Sequence, residues 1–363
     1  MKATQTLHNL GQSIWLDNIT RDLLDSGTLK RYIDELSVTG LTSNPTIFDH
    51  AIKNSTAYDA AIGDKARKGK SGEVLFFELA IEDLTRAAAL FRPVYDRTNG
   101  VDGRVSLEVS PLLAYDTGST LAQAKDIFAR AGQPNLFIKI PGTTQGLPAI
   151  EEAIFAGIPI NVTLLFSREQ YVAAAEAFLR GIERRIDAGL NPFVGSVASV
   201  FISRWDAAVT GKVPDALRNQ LGIAIAQRTY KAYRTLLDSP RWQRILNEGA
   251  RSQRLLWAST GTKDPAASDI LYVKALAAPF TINTMPDTTL KALADHGEIG
   301  AILPADGGDC EEVLAAFGKA GINVDTLAAQ LQDEGAKSFV NSWNELMAVI
   351  TAKGAALKTV GAH

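Results

Sequence analysis

Eight short segments rich in apolar and β-branched residues recur along the chain, and turns and helical patterns separate them. Segments that are apolar on both faces are typical of strands in a parallel sheet that is buried on both sides. Strands that alternate with helices predict an α/β fold, and eight such units predict a closed (β/α)8 TIM barrel with additional helices. The strand candidates are SIWLDN (13–18), VTGLTSN (38–44), RVSLEVS (104–110), NLFIKIP (135–141), IPINVTLLF (158–166), FVGSVASVF (193–201), RLLWASTG (254–261) and PFTINTM (279–285).

Two of the intervening segments carry clear helix signals. REQYVAAAEAFLRGIERRIDAG (168–189) has apolar residues three and four positions apart, and its last residue is Gly189, a natural C-terminal cap. DTGSTLAQAKDIFARAG (116–132) begins with Asp116 or Ser119 as the N-cap and closes at Gly132.

The remaining length is predicted to extend the barrel rather than form a second domain. We expect residues 1–363 to form one domain, with helical insertions at about 50–100 and 206–253. Both insertions look like helix pairs, and neither contains its own set of strands. An Ala-rich C-terminal helix follows and can pack over one end of the barrel. No GxGxxG or Walker A segment follows any strand, which argues against an open nucleotide-binding sheet.

Composition excludes several classes of protein. The formal charge is only −3 and the basic residues are scattered among acidic ones, which argues against nucleic-acid binding. A single cysteine, Cys310, and four scattered histidines give no disulfide and no zinc spacing, so we expect a reducing compartment and no metal. The N-terminal segment does not resemble a signal peptide and no apolar run reaches the length of a membrane span, so we expect a cytoplasmic protein. The sequence leaves the oligomeric state open, a homo-oligomer included.

Lys139 is the most unusual residue of the strand candidates, because it interrupts the apolar run LFIKIP. An unpaired ammonium group inside a buried strand is costly. Either Lys139 is neutralised by an ion pair with Glu108 or Asp17, or it is retained as an amine nucleophile. Burial favours the neutral form of an amine, and a neutral amine can form an imine with a carbonyl compound.

Glu108 and Asp17 are the strand-embedded carboxylates that could serve such an amine. Imine formation needs a proton donor and acceptor near the carbinolamine, and Glu108 on the preceding strand could act directly or through a water molecule. Cleavage of a carbon–carbon bond needs a further base, for which Asp17 is the candidate. The simpler alternative for either acid is charge compensation of Lys139.

Further polar residues lie late in the strands, where the active site of a (β/α)8 barrel is built. Most Asn–Pro pairs serve as plain caps, but Asn44 before Pro45 could also turn its amide toward the pocket. Asn161 and Thr163 are two residues apart, so we expect both to face the barrel interior and suit a polyhydroxylated substrate. Arg204 and Lys263 follow strands after which barrels often bind phosphate, although solvated cations are the simpler alternative. The full set of substrate-binding candidates is Thr42, Asn44, Asn161, Thr163, Ser199, Arg204, Ser259 and Lys263.

Together these residues resemble the transaldolase family, within the class I aldolase superfamily. GLTSNPTIF is similar to the first signature of that family, and LFIKIPGTTQGLPAI is similar to the second, which contains the Schiff-base lysine. INVTLLFS, NPFVGS, LLWASTGTKDP and TINTMPDTTL are also similar, the last two to the longer bacterial form. The resemblance extends from about Ile14 to Ala301.

The resemblance implies a cofactor-free barrel that transfers a dihydroxyacetone unit between sugar phosphates. It implies Lys139 as the nucleophile, Glu108 as the acid/base that acts with a water molecule, and Asp17 as the base for the C4 hydroxyl group. Asn44, Asn161 and Thr163 would then hold the dihydroxyacetone moiety. Arg204 and Ser199 would meet the phosphate.

The chain departs from the short form of the family at the expected phosphate site. GSVASVFISRWD is longer than the corresponding turn, so the arginine is assigned to Arg204 from its Arg-x-Asp context. No arginine follows the serine in ASTGTKDP, which leaves Lys263 for that role, and lysine lacks the planar two-pronged contact of arginine. Two rival functions stay open: a fructose 6-phosphate aldolase that releases dihydroxyacetone, and a catalytically silent barrel that binds sugar phosphates or a partner protein.

Overall fold

The computed structural model describes residues 2–360, with side chains up to Lys358, so His363 lies outside the described residues. Eight parallel strands pair in chain order and close into a barrel, which confirms the predicted (β/α)8 architecture. Each strand lies within the segment predicted for it or begins one residue before it. The strands are β1 Ser13–Asp17, β2 Val38–Thr42, β3 Arg104–Glu108, β4 Leu136–Pro141, β5 Ile160–Leu165, β6 Ser196–Phe201, β7 Gln253–Ala258 and β8 Ile282–Met285.

Helices surround the barrel, and every connection between successive strands contains at least one of them. Within residues 2–360 they include two short 3-10 helices, Pro111–Leu113 and Asp215–Leu217. The α-helices of the described residues are α1 Ala3–Asn9, α2 Arg21–Asp25, α3 Thr28–Glu35, α4 Pro45–Asn54, α5 Asp59–Arg67, α6 Gly72–Arg97, α7 Thr117–Ala131, α8 Gly146–Phe155, α9 Arg168–Asp187, α10 Ser203–Val209, α11 Leu221–Leu237, α12 Pro240–Asn247, α13 Leu271–Ala275, α14 Asp287–His296, α15 Cys310–Lys319 and α16 Val324–Val360.

The predicted helix ends are confirmed by their capping geometry. The carboxylate of Asp116 accepts the backbone N–H of Ser119 at 3.0 Å, so Asp116 is the N-cap of α7. Gly132 ends α7 with φ 59°, a left-handed conformation that favours glycine. Gly189, which follows α9, has φ 67° for the same reason.

The two helical insertions differ from the expected helix pairs, since each contains three helices. Helices α4, α5 and α6 lie between β2 and β3, and α10, α11 and α12 lie between β6 and β7. A proline at the N-terminus of α4 and another at that of α12 allow helix starts that the apolar periodicity did not reveal. The assignment of residues 1–363 to a single domain stays a prediction.

Helix α16 lies across the mouth of the barrel. Its buried face includes Ala336 and Phe339, which pack in one cluster with Phe166 and Trp205 near the ends of β5 and β6. Further along α16, the ring of Trp343 lies 4.9 Å from that of Phe76 in α6. The helix therefore joins the first insertion to the side of the barrel where the strands end. None of the described helices is long and apolar enough to cross a membrane.

Candidate active site

A cavity of about 270 Å³ opens at the carboxyl ends of the strands, beneath α16. Nine of the eleven residues predicted for the site line it, while Glu108 and Asn161 lie behind its wall. The lining consists of Asp17, Thr42, Asn44, Thr46, Ile47, Lys139, Thr163, Ser199, Phe201, Arg204, Ala258, Ser259, Gly261, Lys263, Thr284, Pro286 and Phe339.

Lys139 projects into this cavity from the middle of β4. Its neighbours across the barrel wall are Glu108 on β3 and Asn161 on β5. The residue is only 4% exposed, and its Nζ donates to the carbonyl oxygen of Ser43 at 2.9 Å. Nζ also lies 3.1 Å from Glu108 Oε2. The amine is therefore buried, directed at the strand ends and close to one carboxylate.

Glu108 is the last residue of β3 and is almost completely buried. The contact with Lys139 is close, yet neither carboxylate oxygen accepts a hydrogen bond of good geometry from the described residues. Burial raises the pKa of Glu108 and the nearby charge of Asp17 adds to the effect, while Lys139 opposes it. A carboxyl group in these surroundings can exchange a proton with a neighbouring group more readily than an ordinary surface glutamate.

Asp17 ends β1, and two threonines support its carboxylate. Thr42 at the end of β2 donates its hydroxyl proton to Asp17 Oδ1 at 2.6 Å. The hydroxyl of Thr284 on β8 lies 2.7 Å from that of Thr42. Burial raises the pKa of Asp17, and the Thr42 hydrogen bond together with the charges of Lys139, Lys263 and Arg204 lowers it by less. Asp17 is thus a fixed carboxylate with a raised proton affinity.

Asn44 both caps a helix and lines the cavity. Its side-chain oxygen accepts the backbone N–H of Ile47 at 3.0 Å, so Asn44 is the N-cap of α4. This bond uses the amide oxygen, which leaves the NH₂ group available to the cavity. The two alternatives that the Asn–Pro pair left open are therefore compatible.

Asn161 and Thr163 occupy different depths of the barrel, although both were expected to meet a substrate. The NH₂ group of Asn161 donates to Ser106 Oγ at 3.1 Å, and its oxygen accepts from Ser199 Oγ at 2.7 Å. Thr163 lines the cavity, and its buried hydroxyl has no hydrogen-bond partner among the described residues. Thr163 thus offers an unused hydroxyl group, whereas Asn161 holds Ser106 and Ser199 from beneath the cavity.

Arg204 is the main cation on the far side of the cavity. Its guanidinium carbon lies 5.2 Å from the ring centre of Phe201 and 5.9 Å from that of Phe339 in α16. Burial lowers the pKa of Arg204, an effect that the charges of Asp17, Glu108 and Glu334 oppose. Lys263 and Ser259 also line the cavity. A stacked guanidinium group and a nearby ammonium group suit a phosphate group.

Two non-glycine residues near the cavity have left-handed backbone conformations. Leu164 in β5 has φ 56° and Ser259 after β7 has φ 55°. The Leu164 conformation coincides with a shift in the register between β5 and β6. Such conformations are strained and cluster at functional sites. Here they redirect the chain at the two strand ends that flank Arg204.

Several cavity residues were absent from the set predicted from sequence. Thr284 could have been found, because it is a polar residue late in the predicted strand PFTINTM. Phe339 lies in a long helix whose own pattern does not identify the turn that faces the barrel. Gln332 of the same helix lies outside the cavity lining and donates to the carbonyl oxygens of Leu164 at 2.9 Å and Gly142 at 3.1 Å.

The arrangement as a whole suits carbonyl chemistry with a polyhydroxylated anion. A buried amine lies 3.1 Å from one carboxylate of raised pKa and its charge acts on a second, while hydroxyl groups and two cations line the rest of the cavity. Within residues 2–360, no group of three or more His, Cys, Asp or Glu side chains is placed to share a metal ion.

The fold and the site define a (β/α)8-barrel protein with a buried lysine and two carboxylates at the ends of its strands. The chain belongs to the Transaldolase/Fructose-6-phosphate aldolase family, whose model matches residues 14–350. The match covers all eight strands except for Ser13.

Bacterial relatives named transaldolase match almost the whole chain. The protein from Thermobifida fusca is 45% identical over 352 residues, which cover 94% of this chain and 96% of its own. The protein from Acidothermus cellulolyticus is 44% identical over 349 residues, 94% of either chain. The protein from Mycolicibacterium smegmatis is 42% identical over 346 residues, 93% of either chain.

Proposed function

We propose that this protein is a transaldolase. It transfers a dihydroxyacetone unit from sedoheptulose 7-phosphate or fructose 6-phosphate to an aldose phosphate, in the non-oxidative pentose phosphate pathway. The observation that carries the proposal is the Lys139 amine, buried at the centre of the strand-end cavity and 3.1 Å from Glu108. Family membership and relatives named transaldolase support it.

The first step is attack of the neutral Lys139 amine on C2 of the ketose. Glu108, acting with a water molecule, donates a proton to the departing hydroxyl group, and loss of water gives the iminium ion. The raised pKa of Glu108 suits this donation, because the protonated form persists to a higher pH than in an ordinary glutamate. The iminium ion is an electron sink, so this mechanism requires no metal or other cofactor.

The second step is cleavage between C3 and C4. Asp17 accepts the proton of the C4 hydroxyl group, the C4–O bond becomes a carbonyl, and the electron pair of the C3–C4 bond moves into the iminium system. The aldose phosphate leaves and an enamine remains on Lys139. Addition to the second aldehyde reverses these events, with Asp17 returning the proton. The hydrogen bond from the Thr42 hydroxyl holds the Asp17 carboxylate in one position for both transfers.

Substrate groups away from C2 are assigned to the remaining lining residues. Thr163 Oγ and the NH₂ group of Asn44 face the dihydroxyacetone hydroxyl groups. Arg204 and Lys263, with Ser259, take the phosphate, whose two negative charges match the two cations. The Ser199 hydroxyl donates to Asn161, and we assign Ser199 to the part of the cavity between the dihydroxyacetone and phosphate regions. A cytoplasmic location and a homo-oligomeric state stay predictions.

Borohydride trapping tests the mechanism directly. The protein is incubated with fructose 6-phosphate, reduced, digested and analysed by mass spectrometry, and we expect a dihydroxyacetone-derived adduct on Lys139. Lys139→Ala should abolish both the adduct and turnover, whereas the matched variant Lys319→Ala, at an exposed position on α15, should retain both. Turnover by Lys139→Ala, or full inhibition by a chelator, would contradict the proposal.

A second assay separates transfer from simple cleavage, since the family name covers both activities. Free dihydroxyacetone and sedoheptulose 7-phosphate are measured with fructose 6-phosphate as donor and erythrose 4-phosphate as acceptor. A transaldolase consumes the acceptor and forms the seven-carbon product, with little free dihydroxyacetone. Accumulation of dihydroxyacetone independent of the acceptor would instead identify an aldolase.

A further inference from the structure

A second and larger cavity, of about 580 Å³, lies at the opposite end of the barrel. Residues at the starts of the strands line it, including Ser13 of β1, Arg104 of β3 and Arg254 of β7. The ends of α11 and α12 form its outer wall. Residues at this end of a (β/α)8 barrel ordinarily contribute to stability rather than to catalysis. The volume of the cavity, however, falls in the range of small-molecule binding sites.

Basic side chains outnumber acidic ones in this cavity. Its lining contains the arginines 104, 234, 251 and 254 but only the two aspartates 102 and 238. Asp102 is already occupied, since it accepts hydrogen bonds from Ser13 and from Trp15 Nε1. Arg254 Nη1 lies 4.0 Å from Asp102 Oδ2, and the Arg254 guanidinium group donates hydrogen bonds to the Ser13 hydroxyl and to backbone oxygens. Positive charge is therefore left uncompensated.

Arg104 is the clearest case of this imbalance. It is 2% exposed, donates only to the carbonyl oxygen of Gly100, and leaves Nη1 without a partner among the described residues. Burial lowers its pKa to about 10. Gly195 makes room for it, because a Cβ there would lie 2.6 Å from Arg104 Nη2. Arg104 thus forms no ion pair among the described residues, although the rings of Tyr95 and Phe137 contact its guanidinium group and the charge of Asp102 acts on it from a greater distance.

The rim of the same cavity exposes apolar side chains. Val101, Leu246 and Phe280 line it and are among the exposed large hydrophobic residues of the described chain. Phe280 is 66% exposed and has φ 61°, a left-handed conformation that is unfavourable for a bulky side chain. Two hydrogen bonds of 3.0 Å hold its backbone, one from its N–H to the carbonyl oxygen of Gly11 and one from the Tyr233 hydroxyl to its own carbonyl oxygen, while its ring stays exposed. An exposed aromatic ring beside arginines is suited to stacking on a planar ring.

We propose that this cavity binds an organic phosphate that carries a planar ring, as a nucleoside monophosphate does. Arg251, whose guanidinium group is stacked on Phe193 at 5.0 Å, meets the phosphate, while Arg254 and Arg104 supply positive potential from the cavity wall. Phe280 stacks on the ring. The site is remote from Lys139 and does not depend on the function proposed for the catalytic cavity.

Calorimetric titration with AMP, adenosine and inorganic phosphate at constant ionic strength tests the proposal. We expect one AMP per chain, bound at least about tenfold more tightly than adenosine or phosphate. Arg251→Ala and Phe280→Gly should each weaken AMP binding by about tenfold. Phe280→Gly should keep or raise the Tm, since glycine accepts the left-handed backbone.

Two matched variants locate the binding. Arg130→Ala, at an exposed position on α7, should leave AMP affinity unchanged, and so should Arg204→Ala in the catalytic cavity. Loss of AMP binding in Arg204→Ala would place the ligand in the catalytic cavity and overturn the proposal. The absence of saturable AMP binding, equal affinity for phosphate alone, or unchanged affinity in both Arg251→Ala and Phe280→Gly would also overturn it.

Discussion

Gly335 of α16 packs directly against Arg204 of the catalytic cavity. A Cβ at position 335 would lie 3.1 Å from Arg204 Nη1 and 2.9 Å from Leu164 Cδ2. Phe339, one turn further along the helix, adds its ring 5.9 Å from the Arg204 guanidinium carbon. A side chain at residue 335 would force the ends of Leu164 and Arg204 to move, so glycine favours this close approach of the helix. Helix α16 therefore shapes the side of the cavity assigned to phosphate.

Gly335→Ala should weaken substrate binding through Arg204. The added methyl group displaces the guanidinium group, so we expect the KM for fructose 6-phosphate to rise by about tenfold while kcat changes much less. Steady-state kinetics measure both parameters. An unchanged KM would show that Arg204 does not depend on this contact.

Gly354→Ala provides the matched control in the same helix. A Cβ there would meet nothing closer than Ala66 Cβ at 3.6 Å, so the substitution should leave KM unchanged. It should also raise the free energy of unfolding by up to about 1 kcal/mol, because alanine favours a helix over glycine. The two variants together separate an effect on the site from an effect on helix stability.

The barrel and the catalytic role of the lysine could be predicted because short stretches of the sequence indicate both. A strand of the buried parallel sheet is apolar on both faces, so a charge such as Lys139 stands out in the sequence itself. The contacts of Gly335 and Phe339 with Arg204 at the catalytic cavity could not be predicted. Periodicity indicates that α16 is a helix, but which of its turns meets Arg204 depends on how the helix docks on α4, α5 and the barrel.

The expectation for Asn161 and Thr163 illustrates a second limit. Residues two apart do point to the same side of a strand, and both are fully buried here. Sequence spacing does not give depth, however, and Asn161 lies one layer below Thr163, where Ser106 and Ser199 use its amide. The left-handed residue Leu164 then breaks the alternation that the rest of β5 follows.

Thr143→Val should destabilise the loop after Lys139. The buried hydroxyl of Thr143 donates to the carbonyl oxygen of Ala114 and accepts the N–H of Gly146 at 3.0 Å. Valine keeps the shape but leaves both groups unpaired, so we expect a loss of about 1–3 kcal/mol in the free energy of unfolding. Denaturant unfolding measures it, with the exposed Thr144→Val as the control that should change it little. Similar losses in both variants would contradict this role.

Asp17→Asn should stabilise the protein at neutral pH. Burial holds the pKa of Asp17 above its ordinary value, so the ionised form is disfavoured in the folded state. Protonated Asp17 makes its full contribution to the free energy of unfolding below the pKa that it has in the unfolded state. This contribution is lost as the pH rises through the pKa that Asp17 has in the folded state. The Tm of Asp17→Asn should therefore exceed that of the parent protein at about pH 7 and approach it at about pH 3. The exposed Asp126→Asn should show no such difference, and a uniform Tm gain at both pH values would argue against an electrostatic cause.

Asp17→Ala and Glu108→Gln should impair different steps of the reaction. If Asp17 accepts the C4 hydroxyl proton, its loss slows carbon–carbon cleavage while the iminium ion still forms, so borohydride traps the intact six-carbon sugar on Lys139. Glu108→Gln removes the proton donor for dehydration, so trapping itself should become slow.

Each loss should reach about 10²–10⁴-fold in its own step, the usual contribution of a general acid or base. Single-turnover trapping followed by mass spectrometry measures the two rates separately. Equal loss of imine formation and cleavage in Asp17→Ala would reject the role assigned to that carboxylate, because a base acting only at C4 cannot slow an attack at C2.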